Sequence, residues 1–429
     1  MKSVVVVGSG AGGAAAASRL TGSFNVTILE EGRTFHPLSL GMPVMETLKG
    51  SGLLRDERMT SFLFPPMRIR RSKEGMAIVN GRCVGGSTTI SAGNGLRADQ
   101  GLREIGVDLD GELQELSGRL TISADHADTW RPDTRELFSA CRRLGLDPRP
   151  IPKLIDFTKC RRCGRCILGC PAGAKWDARR FVSQALEQGA RLLEGHRATR
   201  IEMEGDKAAG VWTVSRAGKT LFRADVVVLA AGGLETPVIL QESGFPCEER
   251  LFVDPVLCVA GHLAETGPIG EISMPFMVQQ DSFILSPYFD YLSFLFNRAW
   301  KLPGASLLSF MVKLADSSQG SCGPGGIRKE LTRQDKETLA GAVELCKEIL
   351  VAAGVERESL VLGTVNAGHP GGMVPLAAGD AGSLHPSRLP ANLYVADTSL
   401  FPRSLGSPPI LTTMALARAV ARKIMEKVL

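Results

Sequence analysis

The chain opens with apolar and small residues in the order strand, turn, helix, strand. Residues 4–7 form an apolar run typical of a buried strand, and residues 14–20 have the alanine-rich composition of a helix packed closely on a sheet. A second strand-like run, residues 25–29, ends at Glu30. This order predicts the beginning of a sheet of parallel strands covered by helices.

Later apolar runs extend this pattern. Residues 224–233 predict a buried parallel strand at the edge of the same sheet, and residues 192–204 and 209–216 predict strands of a small antiparallel unit. Aromatic residues at near-alternate positions in residues 283–300 are typical of the core of an antiparallel sheet. An apolar substrate pocket stays open as the alternative there, because pockets are lined by the same residue types.

Helical patterns occupy much of the remaining chain, whereas residues 33–76 predict loops and short helices. Thr332 is a plausible cap for one long amphipathic helix, which Gly354 closes. The predicted helices lie at residues 112–120, 133–144, 178–188, 235–243, 333–353 and 410–428.

Composition describes an ordinary soluble globular protein with more than one domain. The chain has 429 residues, 44% of them hydrophobic and 22% charged, and a net charge of +5, which makes no case for nucleic acid or membrane binding. The sequence carries no secretion signal and no apolar run of about 18 residues, so we expect a cytoplasmic protein. Its ten cysteines are then expected to be metal ligands or buried thiols rather than disulfides.

The glycine-rich turn after the first strand has the spacing of a dinucleotide-binding loop. Gly8 permits the turn, Gly10 lets the backbone approach a pyrophosphate, and Gly13 allows the helix to pack on the strand. Glu30, at the end of the second strand, is suited to bind a ribose hydroxyl. Strand, turn, helix and acidic residue together predict nucleotide binding.

A second glycine block runs through Gly85, Gly86 and Ser87. Paired glycines followed by hydroxyl residues suit a backbone that presses against a flat ligand and donates N–H groups to it. Taken alone, the block could equally be a surface turn.

Four cysteines, Cys160, Cys163, Cys166 and Cys170, follow the spacing C-x2-C-x2-C-x3-C-P. Ferredoxin-type iron–sulfur loops have this spacing, so we predict that these thiols ligate a [4Fe-4S] cluster. A zinc site and two disulfides are the alternatives. Seven basic residues and one acid lie between residues 159 and 180, and they either solvate the surface or form a docking face for an acidic electron carrier.

With these pieces in order, the chain resembles the glucose-methanol-choline (GMC) family of FAD oxidoreductases, in the cholesterol oxidase-like pattern. Five blocks carry the resemblance: residues 8–13 with Glu30, 81–91, 226–244, 369–372 and 392–413. The resemblance implies a mixed α/β fold with a Rossmann-like FAD-binding domain and a discontinuous antiparallel-sheet substrate domain, and the four-cysteine motif adds an iron–sulfur-binding insertion. Its expected segments are 1–97, 191–254 and 362–429 for FAD, 98–190 for the insertion and 255–361 for the substrate domain.

The resemblance also implies roles for individual residues. Gly85, Gly86 and Ser87 would hold the flavin side of FAD, and Ala198 and Gly232 would lie near its adenosine end. His369 would be the general base that takes the hydroxyl proton of an alcohol-like substrate. The positions that would lie along the ribityl and pyrimidine side are Asp397, Pro409 and Ile410.

The chain departs from the family pattern at Pro408, where a second polar group, histidine or asparagine, is expected. Proline offers no such group, which puts alcohol oxidation by the usual pair in doubt. The leading hypothesis is an FAD- and [4Fe-4S]-dependent dehydrogenase or reductase that acts on a CH–OH group, or on the corresponding carbonyl. It would exchange electrons with a ferredoxin-like carrier or a partner subunit. The alternatives are an electron-transfer subunit without substrate chemistry and a flavoprotein with structural zinc.

Overall fold

The computed structural model describes residues 1–37, 41–52, 54 and 56–429. These residues contain nineteen strands and eleven α-helices. The strands are β1 Ser3–Val7, β2 Asn25–Glu30, β3 Met67–Arg71, β4 Ala77–Gly81, β5 Pro148–Pro150, β6 Arg191–Glu194, β7 Arg197–Glu204, β8 Lys207–Ser215, β9 Gly218–Arg223, β10 Val226–Leu229, β11 Pro255–His262, β12 Phe276–Gln279, β13 Phe283–Pro287, β14 Leu307–Leu314, β15 Ser321–Gly323, β16 Gly326–Arg328, β17 Val361–Leu362, β18 Asn366–Ala367 and β19 Leu393–Val395. The helices are α1 Ala11–Leu20, α2 Met42–Gly50, α3 Thr60–Leu63, α4 Gln100–Glu104, α5 Asp110–Arg119, α6 Pro132–Arg143, α7 Arg179–Glu187, α8 Glu235–Glu242, α9 Tyr291–Phe296, α10 Arg333–Ala352 and α11 Ile410–Val428.

A parallel sheet of five strands, in the order β19-β10-β1-β2-β6, forms the centre of the nucleotide-binding half. Its strands are apolar because helices cover them; all four valines of β1 are buried, and α1 and α11 share its hydrophobic core. The predicted β1, α1 and β2 are confirmed. The expectation that residues 224–233 lie at the edge was wrong, because β19 pairs with β10 on its outer side.

A second sheet of nine strands is largely antiparallel and contains β11, β12, β13 and β14. It also takes in β3 and β4 from the early part of the chain and β5 from the middle. The early strands were missed, since residues 33–76 were expected to form only loops and short helices. Strands from three distant parts of the chain therefore build one layer.

Two sequence predictions of strands need correction. Residues 192–204 do not form one antiparallel strand, because β6 joins the parallel sheet beside β2. Only β7 belongs to the three-stranded antiparallel sheet, in which β8 lies between β7 and β9. Residues 291–296 of the aromatic run form the helix α9, which Asp290 caps at its N-terminus. A short apolar run does not by itself distinguish strand from helix. Here the Asp290 carboxylate, which caps the first turn, favours the helix.

The mixed α/β fold is confirmed, whereas the domain boundaries stay a prediction. The long helix α10 begins as expected, with a capping box between Thr332 and Asp335, and α11 has the predicted bounds. Within the described ranges, no helix has both the length and the apolar character needed to cross a membrane.

Candidate active site

A cavity begins where β1 ends and runs between the parallel sheet and the antiparallel sheet. Gly8, Gly10 and Glu30 line it at the sheet edge, and His369 lines it on the side of the antiparallel sheet. Most of the residues predicted for cofactor binding lie along the same cavity, namely Gly86, Ser87, Ala198, Gly232, Asp397, Pro409 and Ile410. Gly13 and Gly85 are not among its lining residues. The fold thus brings together residues that are almost 400 positions apart in the sequence.

The three glycines of the first loop have different surroundings. A Cβ on Gly8 would lie 2.3 Å from the carbonyl oxygen of Ala230, and a Cβ on Gly13 would lie 1.9 Å from the carbonyl oxygen of Gly8. Around a Cβ on Gly10, the nearest atom would be the Cα of Gly86 at 3.9 Å. Gly8 and Gly13 are therefore needed for packing, whereas the space beside Gly10 belongs to the cavity.

Helix α1 presents its N-terminus to this space. Gly10 is its N-cap residue, no side chain caps its free N–H groups, and its first turn contains no acidic residue. Uncapped N–H groups and the helix dipole favour an anion at this position. The loop thus fits the pyrophosphate of a dinucleotide.

Glu30 connects the two glycine blocks. One carboxylate oxygen accepts hydrogen bonds from the Ser9 N–H at 3.1 Å and from the Ser9 hydroxyl at 2.6 Å, and the other accepts from the Gly32 N–H at 2.7 Å. The Ser9 hydroxyl in turn accepts from the Gly85 N–H at 3.1 Å. Burial raises the pKa of Glu30, while these hydrogen bonds oppose that shift. Gly85, behind the cavity wall, is therefore fixed by the same network.

Asp397 lines another part of the cavity wall, next to the loop at Gly232. Its carboxylate accepts hydrogen bonds from the Gly232 N–H at 2.8 Å and from the Thr236 hydroxyl at 2.6 Å. Pro409 and Ile410 follow at the N-terminus of α11, where no side chain caps the helix. Asp397 therefore positions the loop at Gly232, and α11 presents a second uncapped N-terminus to the cavity.

His369 lies at the end of the cavity against a buried ion pair. Its Nδ1 is 3.5 Å from Oδ2 of Asp254, and the same oxygen is 2.5 Å from Nζ of Lys313. The other carboxylate oxygen accepts hydrogen bonds from the Ser404 hydroxyl and the Gly406 N–H. Asp254 is fully buried, and Lys313 and His369 outweigh the effect of its burial and hold its pKa at about 2. The carboxylate is therefore ionised and lies against both the Lys313 ammonium and the His369 imidazole.

Sequence reasoning missed Asp254 and Lys313. A lysine inside the apolar strand β14 is a signal that could have been noticed, because a lysine is seldom fully buried without a partner. Lys313 lines the cavity, and in the described part of the chain its Nζ makes one hydrogen bond, to Asp254. Pro408 lines the cavity as well, so a side chain without a polar group stands there at the wall.

One part of the cavity wall is apolar, and we call it the apolar chamber. Residues from β4, β11, β14 and α9 line it, together with two residues of the four-cysteine loop: Val79, Val256, Met311, Leu292, Leu295, Phe296, Ile167 and Leu168. Tyr288 and Tyr291, from the predicted aromatic run, are also at its wall, whereas Phe294 and Trp300 lie in the core. The aromatic run thus contributes to both the core and a pocket.

The four-cysteine loop lies next to this chamber and is tightly held. Gly164 donates from its N–H to the carbonyl of Glu271 at 3.1 Å, and its own carbonyl accepts from the Tyr291 hydroxyl at 3.2 Å. Backbone N–H groups point at two of the sulfurs, from Arg162 to Cys160 Sγ at 3.5 Å and from Lys175 to Cys170 Sγ at 3.4 Å. Such bonds to sulfur are common around iron–sulfur clusters.

All ten cysteines are free thiols. Among the residues that the structure describes, no three histidine, cysteine, aspartate or glutamate side chains converge closely enough to hold a metal ion. The convergent set of four thiols expected from the spacing is thus not seen, and the cluster stays a prediction. Two of the other cysteines, Cys258 and Cys322, pack in two separate hydrophobic clusters.

Comparison with known proteins agrees with this geometry. The family model described as GMC oxidoreductase matches residues 3–271, more than half of the chain. The chain belongs to the GMC oxidoreductase family. It is therefore an oxidoreductase, as the resemblance implied.

Relatives within and around this family differ in length. A Methanocaldococcus jannaschii protein is 26% identical over 349 residues, which cover 80% of this chain and 86% of that protein. A GMC-type oxidoreductase of Mycobacterium tuberculosis is 33% identical over 58% of this chain and 40% of its own length. A long-chain-alcohol oxidase of Arabidopsis thaliana is 23% identical over 98% of this chain and 66% of its own length. The chain thus spans well under half of the mycobacterial relative and just under two thirds of the plant relative.

The fold is shared with solved structures. The crystal structure of pyridoxine 4-oxidase from Mesorbium loti superposes with a TM-score of 0.73 and 20% identity, and the match covers 99% of each chain. At this level of identity the likeness concerns the fold.

Proposed function

We propose that the chain binds FAD along the cavity and oxidises the CH–OH group of an apolar alcohol, or reduces the corresponding carbonyl, at His369. One observation carries the proposal: a single continuous cavity is lined by the dinucleotide-type loop at Gly10 and by His369 with its buried ion pair. The open space at Gly10 and the uncapped start of α1 fit the pyrophosphate, and Glu30 and Ala198 fit the adenosine end. Gly86, Ser87, Pro409 and Ile410 would hold the flavin side.

Flavin bound there supplies a two-electron acceptor for the hydride of the carbinol carbon. His369 takes the hydroxyl proton, because a neutral imidazole near pH 7 is a competent base. Asp254, at Nδ1, keeps the proton-bearing nitrogen on that side and leaves the other ring nitrogen free to accept. The alcohol loses one proton and one hydride and becomes a carbonyl, so the step is balanced.

Lys313 supplies the polar group that Pro408 lacks. Its ammonium has three N–H donors, and only one is used, on Asp254. Since Lys313 lines the cavity beside His369, a remaining donor can stabilise the substrate oxygen as the proton leaves. This donor supports alcohol chemistry despite the proline at position 408.

The substrate class follows from the apolar chamber. Leucine, methionine and aromatic side chains line it, and this composition favours an alkyl or aryl group next to the reacting carbon. The name of the plant relative, a long-chain-alcohol oxidase, supports an apolar alcohol.

Anaerobic titration tests the proposal. The visible absorbance of FAD bound to the purified protein should be bleached by at least one of three alcohols: 1-octanol, benzyl alcohol or pyridoxine. Failure to retain FAD, or no bleaching by any of them, would contradict it.

The finer part of the proposal concerns the acceptor of the electrons. We propose that Cys160, Cys163, Cys166 and Cys170 would hold a [4Fe-4S] cluster, which would supply one-electron transfer to a ferredoxin-like carrier or partner subunit in the cytoplasm. It is supported by the position of the loop, whose Ile167 and Leu168 line the substrate chamber. The enzyme would then be a dehydrogenase or reductase. Oxygen consumption at the rate of flavin reduction would identify an oxidase instead.

Two other candidates are distinguished by simple measurements. An electron-transfer subunit without substrate chemistry, a function that Pro408 favours, would co-purify with a catalytic partner, and no small molecule would bleach its flavin. A flavoprotein with structural zinc would contain zinc and no iron.

The pH dependence of turnover tests the three-residue arrangement. Burial and the Lys313 ammonium lower the pKa of His369, and Asp254 opposes them. The base form therefore prevails at pH 7, and the rate of flavin reduction by benzyl alcohol should fall only on acidification. Lys313→Met removes a cause that lowers the pKa and should shift the acid limb to higher pH. Asp254→Asn should shift it to lower pH. Profiles that coincide, or that shift in one direction for both variants, would contradict this arrangement.

A further inference from the structure

Among the residues that the structure describes, four lysines are buried, and they fall into two kinds. Lys313 lies 2.5 Å from Asp254 and Lys329 lies 2.6 Å from Asp316, so each of these two has a buried carboxylate partner. Lys153 and Lys175 are equally buried, but within the described ranges neither has a carboxylate within ion-pair distance. They flank the four-cysteine loop, seven residues before Cys160 and five after Cys170.

The hydrogen bonds around both nitrogens identify them as ammonium ions. Nζ of Lys175 lies 2.8–2.9 Å from the carbonyl oxygens of Thr88, Thr89 and Ser91. A neutral amine has only two N–H donors, whereas three acceptor oxygens require three.

The same count applies to the second lysine. Nζ of Lys153 lies 2.5 Å from Oδ1 of Asn94, 2.6 Å from the carbonyl of Ser273 and 3.2 Å from that of Ala92. All these partners are neutral, so two positive charges are buried close to each other. A buried charge without a counter-charge is strongly destabilising.

The nearby carboxylates already have other partners. Asp177 is bound to Arg179 at 2.8 Å, and Glu271 accepts hydrogen bonds from the N–H groups of Arg131 and Ile272. Thiols are the remaining ionisable neighbours. Burial lowers the pKa of Lys153 to about 7 and that of Lys175 to about 8, and among the neighbouring ionisable groups the Cys166 sulfur opposes this shift the most.

We infer that the four-cysteine loop holds a metal centre of net negative charge, and that Lys153 and Lys175 are its buried counter-cations. Four thiolates around a core with two positive charges, whether [4Fe-4S] or zinc, leave two negative charges, which match the two ammonium ions. The inference rests on the metal-centre part of the proposed function and adds its charge and two positioning residues.

The lysines also connect this centre to the cofactor cavity. The carbonyls that hold Lys175 belong to the segment directly after Gly85, Gly86 and Ser87. In the same segment, the Thr88 hydroxyl donates to the carbonyl of Gly85 at 2.6 Å and accepts from the N–H of Ala178 at 2.9 Å. Through Lys175, the charge of the centre thus helps to position the backbone segment that would hold the flavin.

The test uses the full chain purified without oxygen, as Lys153→Met and Lys175→Met variants. Methionine keeps the length and apolar character of the side chain and removes the charge together with its N–H donors. We expect at least a threefold loss of bound iron or zinc per chain, or, where the metal is retained, a more negative midpoint potential of an iron centre. The matched control is Lys159→Met, because Lys159 is next to Cys160 but exposed and paired with Asp156. It should keep the metal content and potential of the parent.

A second measurement covers variants that fail to fold. Removal of metal from the parent by a chelator should lower its melting temperature, since the two ammonium ions lose their counter-charge. Unchanged melting on metal removal would overturn the inference, as would folded lysine variants with the metal content and potential of the parent. A parent protein without metal would overturn it too. Bleaching of the flavin by alcohol is scored separately, so the flavin chemistry stands or fails independently.

Discussion

Replacement of His369 by alanine is expected to slow the reduction of bound FAD by benzyl alcohol by roughly a hundredfold to ten-thousandfold, the usual contribution of a general base. The imidazole lines the cavity, and its Nδ1 faces the ionised Asp254, so the variant loses the acceptor of the hydroxyl proton. Stopped-flow absorbance under anaerobic conditions measures the rate directly.

The control for this variant is His262→Ala. His262 is a partly exposed histidine of the same antiparallel sheet, paired with Glu356 at 2.8 Å, and it is not among the residues that line the cavity. Its replacement should leave the rate unchanged. FAD content should equal that of the parent in both variants. If His369→Ala reduced its flavin within about twofold of the parent rate, another residue would have to take the proton.

Two glycines of the first loop should respond in opposite ways to added side chains. Gly10→Val should fold normally and lose FAD affinity by about a hundredfold or more, equal to about 2.7 kcal/mol. Gly10 has extended backbone angles, with φ −72° and ψ −164°, which valine accepts, and its Cβ would enter the cavity where the pyrophosphate is proposed.

Gly13→Ala is the matched variant and should fail for a different reason. Alanine gains about 1 kcal/mol of helix propensity over glycine, but its Cβ would lie 1.9 Å from the Gly8 carbonyl oxygen. Overpacking of this kind typically costs about 1–3 kcal/mol and can cost more, so a net loss of stability is expected. Urea unfolding and FAD fluorescence titration separate the two effects. A folded Gly10→Val variant with the FAD affinity of the parent would exclude a cofactor at this loop.

The sequence was a good guide where chemistry is local. The loop from Gly8 to Gly13 needs glycines at fixed spacing, and the capping box at Thr332 needs two residues three positions apart. Both can therefore be predicted from residues that are close in the sequence. The position of His369 came from the family resemblance. In each case the relevant residues are close in sequence or occur in a recognisable block.

What the sequence did not provide are partners that only folding brings together. Asp254 and Lys313 are 59 residues apart and meet His369 only because β11 and β14 pair in the antiparallel sheet. Residues 191–194 look like any short strand, and only their pairing with β2 places them in the parallel sheet. The separation of paired from unpaired buried lysines likewise required coordinates.

The last strand of the parallel sheet has a consequence for biosynthesis. β19 covers the outer edge of β10, and Asp397, two residues after it, fixes the loop at Gly232. While the ribosome is still adding residues up to about 397, β10 is an uncovered edge able to pair with other chains. Stable loading of the cofactor must then wait until the segment through Asp397 has emerged, and until then the free edge of β10 is a place where nascent chains can associate wrongly.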